Sequence, residues 1–223
     1  MSLHLTGRTA TVARIETTGL IAVIRVGEGG VQTLVDTAKA LRDGGVDVGE
    51  ITITSPGAMA GIEKAAATLG DDCVIGVGSV LDAETARAAI LAGAQFVFAP
   101  TFNPAVIEMG HRYDKPVVPG ALTPTEILSA WQAGADMVKV FPANHFGPKY
   151  FKDIKAPLPQ VKLTPTGGVD LDTAADWLRA GAAALGVGSA LVKKDLIAAR
   201  DWTGLASLAG QFVEIVRKTR MSR

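Results

Sequence analysis

The residues best able to do chemistry in this chain are polar groups set inside apolar runs. In Met137-Val138-Lys139-Val140-Phe141-Pro142, Lys139 alternates with valines, so on an extended strand it shares a face with Met137 and Phe141. In Val48-Gly49-Glu50-Ile51-Thr52-Ile53-Thr54, Glu50 shares a face with Val48, Thr52 and Thr54. An ionisable group in such a run is costly unless it is paired or used. Desolvation disfavours the ammonium form of a lysine in an apolar cleft, which supplies the neutral amine that attacks a carbonyl carbon. A nearby glutamate opposes that depression electrostatically, yet it can carry protons between the amine, a water and substrate hydroxyls. The bland alternatives for Lys139 are a buried ion pair with Glu50 and an outward lysine lying along a helix.

Two glycine-rich segments form the second signal. Thr166-Gly167-Gly168 and Gly186-Val187-Gly188-Ser189 each end an apolar run, and glycine lets the backbone approach an anion closely. Their alternative is two tight turns with no ligand. The three histidines, His4, His111 and His145, lack metal-ligand spacing, so no metal site is expected. His4 and His111 read as surface residues and His145 as an ordinary loop residue. Cys73 is the single cysteine and lies in an apolar run, where a thiol packs as a small hydrophobe.

These residues need a scaffold that brings distant strands together. From residue 19, short β-rich runs alternate with helical patterns, with candidate strands at 20–26, 47–54, 73–79, 95–100, 116–120, 137–142, 161–165 and 183–188. Eight parallel βα units predict an α/β fold, a single (β/α)8 TIM barrel over 1–223, with the residues before 19 as an extra, helical N-terminal segment. Pro104, Pro124 and Pro148 mark helix starts, and Thr123-Pro124-Thr125-Glu126 has capping-box spacing. The junctions Gly44-Gly45, Ala92-Gly93-Ala94, Ala133-Gly134-Ala135 and Ala180-Gly181-Ala182 mark helix exits before strands two, four, six and eight. An open doubly wound sheet is the alternative, but no G-x-G-x-x-G turn follows the first strand. In a barrel, strands two and six face each other, so Glu50 and Lys139 would share an interior layer. The loops after strands seven and eight are a common phosphate site in barrels.

Composition narrows the partners. The chain has 22 Lys and Arg against 22 Asp and Glu, which supplies no positive field for nucleic acid or anionic membrane. Its apolar runs are strand-sized, too short to span a bilayer. The first nineteen residues lack the apolar centre of a secretory signal, so a cytoplasmic location is expected. Trp131, Trp177 and Trp202 fall in helical patterns and read as packing, and 202–217 reads as an amphipathic final helix.

Taken together, Gly49-Glu50-Ile51-Thr52, Gly76-Val77-Gly78-Ser79-Val80, Lys139-Val140-Phe141-Pro142-Ala143, Pro165-Thr166-Gly167-Gly168 and Gly186-Val187-Gly188-Ser189 resemble the 2-dehydro-3-deoxy-6-phosphogluconate and 4-hydroxy-2-oxoglutarate aldolase family, from about residue 19 to the last helix. The resemblance implies a class I aldolase with no cofactor and no metal, acting on a phosphorylated 2-keto-3-deoxy sugar acid and pyruvate. It places the Schiff-base lysine at Lys139 and the proton shuttle at Glu50. It puts Ser79 where a threonine usually contacts the pyruvate carboxylate, Pro100 and Thr166 along the pyruvate pocket, and Gly167, Gly168, Gly188 and Ser189 around the phosphate. A homotrimer is likewise implied. Many members carry an arginine where this chain has Thr54, which leaves Thr54 among the substrate contacts without that charge; Arg25, at the end of strand one, is the candidate replacement. The gluconate substrate is the leading expectation, with the galactonate series and 4-hydroxy-2-oxoglutarate as alternatives. From other classes, a phosphate-binding isomerase or epimerase and a noncatalytic sugar-phosphate binder would share the glycine loops without needing Lys139.

Overall fold

The computed structural model describes residues 7–222; His4 lies outside them. The chain begins with α1 (Gly7–Thr18) and then alternates β1 (Leu20–Ile24), α2 (Gly30–Asp43), β2 (Val48–Thr52), α3 (Ala58–Leu69), β3 (Val74–Gly78), α4 (Ala83–Leu91), β4 (Val97–Phe98) and α5 (Pro104–Arg112). It continues through β5 (Val117–Val118), β6 (Gly120–Ala121), α6 (Pro124–Gln132), β7 (Val138–Val140), α7 (Gly147–Lys155), β8 (Leu163–Pro165), α8 (Ala174–Arg179), β9 (Leu185–Val187), α9 (Lys194–Ala198) and α10 (Trp202–Met221).

Every strand pairing is parallel, in the orders β5-β4-β3-β2-β1-β9 and β6-β7-β8. β5 and β6 are one barrel strand interrupted at Pro119, which has no N–H for the ladder. Its carbonyl still accepts the Lys139 N–H at 2.8 Å. The bridges Leu163↔Ala182 and Thr166↔Gly186 join the β8 and β9 segments and close the ring. The architecture is therefore the eight-stranded barrel that the alternation predicts. Most ladders are shorter than the apolar runs, several of which, such as 20–26 and 47–54, continue past the last paired residue into the loops at the carboxyl ends.

Local rules account for the helix ends. Thr123 and Glu126 form a reciprocal capping box at the start of α6. Asp82 and Asn103 cap α4 and α5 with their side chains. Gly45, Gly93, Gly134 and Gly181 all have positive φ, the left-handed exit that glycine permits.

The apolar residues separate into two bodies. The larger packs the helices onto the outside of the strands. The smaller fills the barrel interior with Ile21, Val48, Val74, Phe96, Phe98, Val118, Met137 and Ala184, and Ile15 of α1 joins it from below. Ile15 is fully buried, worth about 1.5–3 kcal/mol of apolar burial. α1 is fastened under the barrel by ion pairs to residues that lead into strands: Arg8 to Asp136 at 2.6 Å, Arg14 to Asp47, and Lys162 to Glu16 at 3.0 Å. His111, expected at the surface, is only partly exposed, with Nε2 3.4 Å from Asp136 Oδ2 in the same cluster. The amino-terminal ends of the strands are thus closed, and the open end of the barrel is the carboxyl one, where the polar interior residues lie.

Candidate active site

Above that dry plug, the inward residues turn polar. Glu50 of β2 and Lys139 of β7 are 1% and 5% exposed, so neither charge is solvated. Glu50 pairs in register with Gly76, and Lys139 with Gly120 on one side and Thr164 on the other. Glycines make the room: a Cβ on Gly78 would stand 1.3 Å from Glu50 Oε2, so the carboxyl group lies across β3 in space that only glycine leaves open. Among the described residues Glu50 Oε2 has no hydrogen-bond partner. The ion pair offered as the bland reading of Lys139 is not made. Lys139 Nζ instead sits 4.3 Å from the ring centre of Phe98 and 4.7 Å from that of Phe141.

Electrostatics follow from burial. Desolvation pushes the Glu50 carboxyl up to about 8, held back by the positive charges of Lys139 and Arg25. Desolvation lowers Lys139 to about 8, with Glu50 opposing the fall and Arg25 adding to it. Both shifts favour neutral forms: an amine able to attack and a carboxyl group able to give a proton. By contrast, burial drives the Cys73 thiol up to about 11, which leaves it un-ionised and inert.

Several other expected residues gather at the same end. Arg25 is exposed just beyond β1, and its Nη2 lies 3.4 Å from Ser79 Oγ. Ser79 has φ 63, a left-handed conformation that a non-glycine residue holds at a cost. Thr166 is 6% exposed, and its Oγ1 has no partner among the described residues. Pro100 is half-buried on the inward side of β4's continuation, with Gly120 packed against its carbonyl. Gly167 and Gly168 have φ 94 and 70. None of the turn hydrogen bonds among the described residues uses the N–H of Gly168 or Ser189, which leaves these donors available to an anion. Gly188 and Ser189 follow β9 directly, beside that turn. Thr54 is the outlier: exposed, it donates to Thr52 Oγ1 at 3.4 Å.

Phe98 and Thr164 were not among the expected site residues, and Thr52 and Ser55 were expected near Glu50 without a role in the site. Phe98 shares inward parity with Pro100 two residues on, and Thr52 with Glu50, so strand alternation was the available signal. Nothing local marks Thr164, and Ser55 is marked only by the Ser55-Pro56 pair, which resembles the galactonate series; its contact with Val26 comes from another strand. A cavity of about 470 Å³ flanks the mouth between Gly27, Glu28, Lys194, Ile197 and Arg200, and it touches the site only through Arg25.

With this geometry in view, comparison with known proteins is decisive. Residues 12–208 match the family model described as KDPG and KHG aldolase. The chain belongs to the KDPG and KHG aldolase family. It is 36% identical over 180 residues to the 2-dehydro-3-deoxy-6-phosphogalactonate aldolase of Escherichia coli K12, covering 80% of this chain and 86% of that one. It is 35% identical over 190 residues to the 2-dehydro-3-deoxy-phosphogluconate aldolase of Treponema pallidum, covering 83% and 89%. Among solved structures, the KDPG aldolase of Legionella pneumophila, with pyruvate captured as a covalent carbinolamine intermediate, superposes with a TM-score of 0.83 at 28% identity, covering 90% of this chain and 96% of that one. Membership of the KDPG and KHG aldolase family makes the chain a carbon–carbon lyase and sets aside the isomerase and binding-protein readings. No helix among the described residues is long and apolar enough to cross a membrane.

Proposed function

We propose that this aldolase cleaves 2-dehydro-3-deoxy-6-phosphogluconate to pyruvate and glyceraldehyde 3-phosphate through a Schiff base on Lys139. The observation that carries the reading is the buried amine and carboxyl group in one interior layer, both biased towards their neutral forms. The neutral Lys139 amine forms a bond to the C2 carbonyl carbon, and the carbonyl oxygen takes a proton from the Glu50 carboxyl group. Loss of water leaves a protonated imine, an electron sink that a simple ketone does not provide. Glu50, now a carboxylate, takes the C4 hydroxyl proton, directly or through a water. The C3–C4 bonding pair flows to the imine nitrogen as glyceraldehyde 3-phosphate departs. The resulting enamine is protonated at C3, and water returns to hydrolyse the imine and release pyruvate.

The positions of the other expected residues at the carboxyl end of the barrel support the remaining roles. Arg25 and Ser79 meet the substrate carboxylate, Pro100 and Thr166 flank the pyruvate moiety, Thr54 lines the rim, and Gly167, Gly168, Gly188 and Ser189 hold the phosphate. A phosphorylated, multiply charged substrate, which does not cross a bilayer unaided, supports a cytoplasmic location. We also propose that the chain works as a homotrimer; the exposed Phe146, stacked on Tyr150 at 4.9 Å beside the mouth, is apolar surface that an interface would cover. Identities of 36% and 35% to galactonate and gluconate aldolases support the galactonate epimer as a second substrate to assay.

The test is borohydride reduction with pyruvate, followed by mass spectrometry of the peptide spanning residues 137–149. A reduced pyruvate adduct on Lys139 is the expected result. Folded protein that turns over substrate with no adduct on Lys139 overturns the assignment.

A further inference from the structure

Ser55 lies where β2 turns towards α3, and it is 3% exposed. Its hydroxyl oxygen accepts the Val26 N–H at 3.2 Å and shares a hydrogen bond with Thr52 Oγ1 at 3.1 Å. Thr54 Oγ1 extends the chain to Thr52 at 3.4 Å. The turn itself is fixed by the Ser55 N–H to Thr52 O at 2.9 Å and the Ala58 N–H to Ser55 O at 3.1 Å. Ser55 is therefore a rigid, buried acceptor that reaches across from the second βα loop to the first.

What it grips is the residue after Arg25. Beyond Val26 the chain runs through the exposed Gly27-Glu28-Gly29 into Gly30, the first residue of α2, with Gly29 and Gly30 at φ 91 and 64. A segment so rich in glycine does not hold its own direction. The backbone of Arg25 is thus anchored on its carboxyl side by Ser55, while its guanidinium leans on Ser79. We infer that Ser55 is a positioning residue that aims Arg25 at the carboxylate of the 2-oxo acid substrate, through its hydrogen bond to Val26. The inference rests on the reading of Arg25 as the carboxylate's cation. It explains how an arginine on strand one can serve where strand two carries Thr54: the hydroxyls of strand two's end are spent on fixing strand one's.

The experiment compares Ser55→Ala, Arg25→Ala and the double variant, with Ser55→Thr as the conservative control and Thr52→Val, which strips Ser55 of its second partner. Leaving a buried N–H without its acceptor is expected to raise the KM for pyruvate in the condensation direction roughly tenfold in Ser55→Ala, with kcat within about twofold. Thr52→Val should move KM the same way, and Ser55→Thr, which keeps the hydroxyl, should restore most of the loss. In the Arg25→Ala background, Ser55→Ala should add nothing further, because its effect passes through Arg25. An additive KM effect in that background, or a fall in kcat with KM unmoved, overturns the inference. An unchanged KM in Arg25→Ala alone overturns the reading of Arg25 and this inference with it; a raised KM there with none in Ser55→Ala overturns only the inference.

Discussion

The space above Gly78 gives the sharpest test of where the proton shuttle works. Gly78→Ala would place a Cβ 1.3 Å from Glu50 Oε2 and 2.1 Å from its Cδ, so the carboxyl group must retreat by about 2 Å to reach ordinary contact. The backbone of Gly78 is not in left-handed geometry, so the strain falls on Glu50 alone. Overpacking of this kind costs about 1–3 kcal/mol, a loss that a folded barrel tolerates. The catalytic cost is larger: a displaced general acid–base forfeits roughly 10²–10⁴-fold in rate. With pyruvate release followed by lactate dehydrogenase coupling, kcat should fall at least about a hundredfold while the protein stays folded. The double variant Gly78→Ala/Glu50→Ala removes the clash, so its urea midpoint should recover towards wild type while its kcat stays low. If Gly78→Ala keeps kcat within about threefold, a carboxyl group at this position is not the proton carrier, and the mechanism drawn for Glu50 is wrong.

Other outcomes follow from the same geometry. The acid limb of kcat/KM should lie near pH 8, where Lys139 takes up its proton, not near the 10.5 of an ordinary lysine; a limb above pH 10 in the pH–rate profile would contradict the buried amine. Because Glu50 is raised from 4.5 to about 8, the folded state binds its proton more tightly than the unfolded state does. The stability of wild type relative to Glu50→Gln, read from urea midpoints, should therefore be highest below pH 4.5, decline as pH rises towards 8, and level off above it. Gly168→Ala, at φ 70 and with its Cβ 2.6 Å from Asn144 Cβ, should raise KM for the phosphorylated substrate while leaving 4-hydroxy-2-oxoglutarate cleavage nearly unchanged; equal losses on both would remove Gly168 from the phosphate site. Ile15→Ala should lower stability by about 2–5 kcal/mol in urea unfolding, because α1 seals the barrel floor with a fully buried side chain.

The barrel itself was readable from one dimension, because the forces that make it are local and periodic. Alternating βα units, glycine exits and proline starts each act within a few residues, and strand parity alone assigns Lys139 and Glu50 to one interior face of their strands. Motif identity carried the family, and the glycine turns after β8 and β9 were visible as composition. Other features depend on which strand lies beside which, and no local rule encodes that. The ring of Phe98 beside Lys139 Nζ and the seat of Glu50 over Gly78 each join residues from different βα units. The same holds for Ser55 and Val26, 29 positions apart, whose hydrogen bond no periodicity announces. The pKa shifts belong to this second group: a lysine or glutamate in a string of letters has an ordinary affinity for protons, and only the closure of eight strands around it removes the water that kept it so.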